Sequence, residues 1–157
     1  MTSWPTMLRR GPEVTLDDVR AFEAAFGHTL PDDYAQFLLD VNGGRTPQTH
    51  RRFERGILNH LLSLNDLEDE ASDLLTRAAR ARQDLPAPHL LVVGYDDGGM
   101  RIIIPLEGEM RGQVWGQLTT DARPADANPR VAWHDRRDFH KIADNFRSFI
   151  SNLRPLR

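Results

Sequence analysis

Leu30-Pro31-Asp32-Asp33-Tyr34, followed by Phe37-Leu38 and then Asn42-Gly43-Gly44, spells out one short helix with both of its ends. Pro31 suits the first helical position, where a missing N–H has no partner to lose. Asp32 and Asp33 place negative charge in the first turn, which the helix dipole favours. Tyr34, Phe37, Leu38 and Val41 recur at helical spacing and make one apolar stripe. Asn42-Gly43-Gly44 stops the helix, because glycine accepts the left-handed cap that other residues resist. No residue in the stretch is an obvious catalyst, which tilts the expectation from turnover towards binding.

Upstream, Thr15 is the N-cap expected of a helix over Leu16–Phe26, whose Leu16, Val19, Phe22 and Phe26 share one side and whose end is Gly27. Downstream, 45–56 is polar and rich in arginine and histidine, so a loop with at most a short strand is expected. A strand over 57–64 follows. Asn65 and Glu68 have the spacing of a capping box, and Leu67, Ala71, Leu74, Leu75 and Ala78 continue at helical spacing, which predicts a helix to about Arg82. Its acidic start and arginine-rich end match the helix dipole.

Pro86 and Pro88 precede three strand signals at 90–94, 101–106 and 113–118, with Asp96-Asp97-Gly98-Gly99 as the first turn between them. A polar loop is expected over 119–129 and a further strand over 130–133. Phe139, Ile142, Ala143, Phe146, Phe149, Ile150 and Leu153 predict a final helix closed by Pro155. The expected fold is α+β, a mainly antiparallel sheet packed against helices in a single domain over 1–157, with its core at about 16–153.

A chain of 157 residues buries roughly 68–70% of its unfolded surface, so neither a disulfide nor a metal is needed for folding. The absence of cysteine removes thiolate metal sites and thiol nucleophiles and fits a reducing compartment. With no signal-peptide pattern and no apolar run of about 20 residues, a soluble cytoplasmic protein is expected. The net charge of −3 lacks the basic excess of a nucleic-acid binder. Lys141 is the only lysine, so the cations are almost all arginine.

The order of these motifs resembles the SUKH superfamily, which includes bacterial toxin-immunity proteins and relatives of a fungal cell-wall assembly regulator. The residues carrying the resemblance are Glu23, Gly27, the Leu30–Tyr34 entry with Phe37-Leu38, and the Asn42-Gly43-Gly44 exit. Leu91-Val92-Val93-Gly94, the Asp96 to Gly99 turn, Ile102-Ile103-Ile104 and Gly112-Gln113-Val114-Trp115 continue it. Ile142-Ala143, Phe146 and Phe149-Ile150 complete it, so the likeness spans about 16–153. The polar 45–56 region and the charged 65–82 segment depart from the pattern and suit partner-specific variation.

The resemblance implies an immunity protein that neutralises a cognate polymorphic toxin, often a nuclease, by stoichiometric binding. The implied partner is that protein toxin, with no direct nucleic-acid or membrane partner; monomer and homodimer both stay open. Acidic groups suit encounter with a basic nuclease. Candidate contacts are Asp66, Glu68, Asp69 and Glu70 on the charged segment, and Asp96, Asp97, Glu107 and Glu109 at strand connections. Trp115 or Trp133 would serve as an anchor if exposed, although burial is the ordinary fate of tryptophan.

No catalytic residue, cofactor or metal is expected. His134-Asp135, Asp138, His140 and Asp144 form the cluster with most catalytic character, but they match no metal-ligand motif. A polar helix entry capped by Asp135 or Asp138 explains them more simply. Asp96 to Gly99 lacks the further oxygens of a calcium loop, and Gly43-Gly44-Arg45 is not a P-loop. A regulatory scaffold stays open as an alternative function, as does a small metal-dependent hydrolase using His134, Asp138 and His140.

Overall fold

A computed structural model describes residues 4–118 and 130–156. The described residues form an α+β fold with four α-helices and a six-stranded sheet whose strands pair antiparallel in chain order. The polar loop expected over 119–129 lies outside the described residues.

Helix α1 (Leu16–Phe26) starts at a reciprocal cap: Thr15 accepts from the Asp18 amide, and Asp18 accepts from the Thr15 amide. Gly27, at φ 92°, ends it in the left-handed conformation that glycine adopts without steric cost. Helix α2 (Asp32–Asp40) begins one residue after the expected position, with Pro31 as its N-cap. Between them, the buried Glu23 carboxylate accepts the Leu30 amide at 2.7 Å and meets Arg20 at 2.9 Å. Glu23 therefore satisfies a buried N–H that the helix–helix link would otherwise orphan.

Tyr34, Phe37 and Leu38 are buried on α2 as the stripe requires. Their rings meet Phe146, at 4.9 Å from both Tyr34 and Phe37, while Trp4 crosses Phe37 edge-on at 5.2 Å. Phe146 opens α4 (Phe146–Ser151), and the Arg147 amide donates to Asp33 Oδ2 at 3.0 Å, so α2 and α4 are joined by packing and by a hydrogen bond.

Asn42 does more than stop α2. At φ 63°, its 1%-exposed side chain donates to the Pro12 and Leu64 carbonyls and accepts from the Leu64 amide at 2.7 Å. It ties the N-terminal segment, the helix end and the chain leaving the sheet. Gly44 (φ 108°) then passes so close to the N-terminal segment that a Cβ would lie 2.5 Å from the Leu8 carbonyl oxygen. That approach permits the paired Leu8–Arg45 backbone bonds, both 2.7 Å.

Strands β1 (Arg52–Phe53) and β2 (Gly56–Leu61) lead to α3 (Leu74–Ala81), which packs on β3 (Leu90–Asp96). Strands β4 (Arg101–Pro105) and β5 (Val114–Gln117) extend the meander to β6 (Phe139–Ala143). Leu91, Val92, Val93, Ile102, Ile103 and Ile104 are fully buried, as a β-branched and leucine-rich run predicts for central strands.

Three expectations are corrected. The helix expected over 65–82 occupies only Leu74–Ala81; Asn65, at φ 59°, opens a turn instead, and Asp73 is the true N-cap. The final helix expected from Phe139 splits at Asp144-Asn145, with 139–143 pairing as β6 and Asn145 capping α4 through the Ser148 amide. The strand expected over 130–133 is a turn entering a 3-10 segment at Trp133–Asp135.

Candidate interaction surface

The acidic segment between β2 and α3 is a loop held by its own carboxylates. Asp73 accepts from the Thr76 amide at 3.0 Å and the Thr76 hydroxyl at 2.7 Å, and its other oxygen accepts the Asp66 amide at 2.9 Å. One buried side chain thus caps α3 and anchors the loop. Asp69 accepts the Ala71 amide and the Ser72 hydroxyl, closing a tight turn. Arg77 donates to the Ala71 carbonyl, and Glu70 lies 3.7 Å from Arg80.

At the crown of this loop Leu67 is 88% exposed, flanked by Asp66, Glu68, Asp69 and Glu70. Burial, and then the charge of Asp69, push the Asp66 carboxyl above its ordinary value. Beside the loop lies a groove of about 460 Å³ that includes Arg9, Arg45, Asn59, His60, Asp66 and Asp69. Burial, with help from Arg77, lowers the His60 pKa and favours its neutral form. Asn59 donates to Asp97 Oδ1 at 2.9 Å, which links the exposed Asp97 to the same groove.

The other nominated acids separate from this set. Asp96 turns its carboxylate inward on the β3–β4 turn, accepting the Gly98 amide at 3.0 Å and the Met100 amide at 2.6 Å. Glu107 and Glu109 lie on the β4–β5 connection, beyond the opposite end of β4. Five strand residues place the two connections about 15 Å apart.

Trp115, 7% exposed, donates its indole N–H to Gln113 and packs edge-on against Trp133 at 4.8 Å. It is core, whereas Trp133 is half-buried and reaches the surface. Leu67 escaped sequence reasoning because it fitted the apolar stripe of a helix that does not form there.

Of the histidine and aspartate cluster, His134 and Asp135 stay 3.9 Å apart, and Asp138, His140 and Asp144 take other partners. Asp138 is buried in a bidentate pair with Arg136, both contacts 3.0 Å, and accepts from Gln117 at 3.2 Å. Neither Asp135 nor Asp138 caps α4. Asp144 pairs with Lys141 at 2.6 Å, and His140 lies on β6 against Gly116. Among the described residues, no group of three or more His, Cys, Asp or Glu side chains could hold a metal ion, and no helix is long and apolar enough to cross a membrane.

Neither a curated protein nor a solved structure matches the chain. A family model does match, over residues 13–152. That span takes in Glu23 with its Leu30 bond, the α2 stripe, Asn42 with its buried bonds, the meander and α4; the chain belongs to the SMI1 / KNR4 family (SUKH-1).

Proposed function

We propose that this chain is an immunity protein that neutralises one cognate toxin by stoichiometric binding, and that the loop over 65–72 is its main recognition surface. The observation that carries the proposal is Leu67, held 88% exposed at the crown of a loop fixed by Asp73 and Asp69. An exposed apolar side chain on a preordered loop loses little conformational entropy when a partner covers it. The surrounding carboxylates raise encounter rates with a basic partner such as a nuclease and disfavour acidic ones. Asp97 adds a carboxylate across the adjoining groove through Asn59, while Arg9, Arg10, Arg45 and Arg77 line the groove itself and would meet acidic groups of the same partner. A toxin burying about 1,600 Å² in total would cover the loop and much of that groove. Family membership supports the proposal, since SUKH proteins are generally immunity or regulatory proteins rather than enzymes.

The test is capture of the tagged protein from its native cells, run in parallel with Leu67→Asp. One stoichiometric partner with a toxin-like C-terminal domain, lost from the variant, is the expected result. Many substoichiometric partners retained by both proteins would replace neutralisation with a scaffold role.

A further inference from the structure

The β4–β5 connection and the 3-10 segment at Trp133–Asp135 enclose a second groove, of about 380 Å³, lined by His89, Glu107, Glu109, Met110, Trp133 and His134. Its aromatic wall is built around Trp133, which His134 also meets edge-on at 5.5 Å. Trp133 stands edge-on to Trp115 at 4.8 Å, to Phe139 at 5.4 Å and to His89 at 6.4 Å. Its rim is acidic, and among the described residues its lining carries no arginine or lysine. His28 Nδ1 lies 3.1 Å from one oxygen of Glu107. The exposed Glu109 has no hydrogen-bond or ion-pair partner among the described residues. Arg111, the cation of the same connection, is committed elsewhere, donating to the Leu106 carbonyl and to the Thr29 carbonyl and hydroxyl. Burial lowers the His89 pKa, so at neutral pH it contributes a ring and no charge.

We infer that this groove receives an arginine side chain of a protein partner, a second contact that rests on the partner-binding role proposed above. A guanidinium is flat enough to stack on the indole of Trp133 and offers a fork of donors to carboxylates. Glu109 and the remaining oxygen of Glu107 are the acceptors for that fork. Lysine would supply charge without the stacking plane. The same residues suit a basic nuclease surface, which the loop over 65–72 approaches from elsewhere on the molecule.

The probe is N-acetyl-arginine amide, titrated into the intact chain while the Trp133 indole N–H resonance, assigned with Trp133→Phe, is followed by NMR. Saturable shifts with a Kd of about 10 mM are expected, as for a single small fragment. The neutral citrulline analogue should bind at least about fivefold more weakly, and Glu107→Gln with Glu109→Gln should weaken arginine about tenfold. Glu109→Gln alone removes no intramolecular contact, so a native melting profile with weakened binding separates recognition from folding. A flat titration, or equal shifts from citrulline, would overturn the assignment. Equal affinity for N-acetyl-lysine amide would overturn the arginine preference. Failed toxin capture beside an intact arginine response would instead refute the immunity role and leave the groove standing.

Discussion

Replacing Asn42 with alanine removes three hydrogen bonds from a site that is 1% exposed. The Leu64 amide loses its acceptor, and an unsatisfied buried N–H costs about 1–3 kcal/mol. The Pro12 and Leu64 carbonyls lose a shared donor, adding about 1 kcal/mol. Alanine must also hold φ near 63°, where a residue with a Cβ and no local hydrogen bond is strained by about 1 kcal/mol. The sum is about 4 kcal/mol, which lowers the melting temperature of a domain this size by about 10 °C. Asn42→Gly removes the strain but not the lost bonds, so it should recover about 1 kcal/mol relative to alanine. Urea unfolding of the three proteins measures both differences, provided the slopes agree. A cost for Asn42→Ala below about 1 kcal/mol would refute the view that this side chain is the knot between segments. An Asn42→Gly midpoint equal to that of alanine would refute the strain component alone.

Other changes test the packing and the surface. Phe146→Ala should cost about 3–5 kcal/mol, since its ring is fully buried among Trp4, Tyr34, Phe37 and Phe149. Tyr34→Phe should stay within about 0.5 kcal/mol of wild type, because the buried Tyr34 hydroxyl has no hydrogen-bond partner among the described residues; thermal melts distinguish the two, and a large loss in Tyr34→Phe would reveal a partner. Asp73→Ala should cost about 1–2 kcal/mol and speed hydrogen exchange at the Asp66 amide, whose acceptor it removes. Unchanged exchange there would mean the loop is held by something other than Asp73. Glu68→Lys, which breaks no hydrogen bond or ion pair among the described residues, should slow association with the proposed toxin at low salt with stability within about 0.5 kcal/mol of wild type; unchanged stopped-flow association rates would move the interface away from this loop. Asp96 and Asp97 are left intact in that design, because Asp96 holds the β3–β4 turn and Asp97 faces the buried Arg51 at 4.0 Å.

The parts of the fold legible in the sequence are those whose signals are local. Thr15 with Asp18, and Gly27 with Glu23, mark helix ends through bonds made within a few residues, and Asn42-Gly43-Gly44 does so through its left-handed backbone, whereas the Asn42 side-chain bonds to Pro12 and Leu64 are long-range and leave no local signal. The 139–153 stripe misled because 139, 142, 143 and 146 satisfy helical spacing while β5 offers Phe139–Ala143 a backbone ladder. Tertiary pairing decided between the two. Asn145, three residues before Ser148, carried the contrary signal, a helix start inside the expected helix. In the 65–82 segment two caps competed. Asp73 prevailed over Asn65 because its second oxygen also satisfies the Asp66 amide, a contact that spacing alone does not reveal.

Two misread segments, 65–72 and the 3-10 entry at Trp133, contribute to the candidate surfaces, and the overlap has a physical cause. Loop 65–72 is shaped by the Asp69 and Asp73 carboxylates accepting backbone amides, and the turn before β6 by the side-chain pair Arg136–Asp138, rather than by a ladder or a periodic apolar face. Periodicity carries no information about such a shape, so hydrophobic pattern assigns these stretches to the nearest regular element. The same construction frees the neighbouring positions. The side chains of Leu67, Glu68 and, on the β4–β5 connection, Glu109 support no backbone group, so the fold leaves their identity open. An acidic loop fixed from beneath by two carboxylates can therefore change its crown without changing its backbone, which is the property a family needs if one fold is to meet many partners.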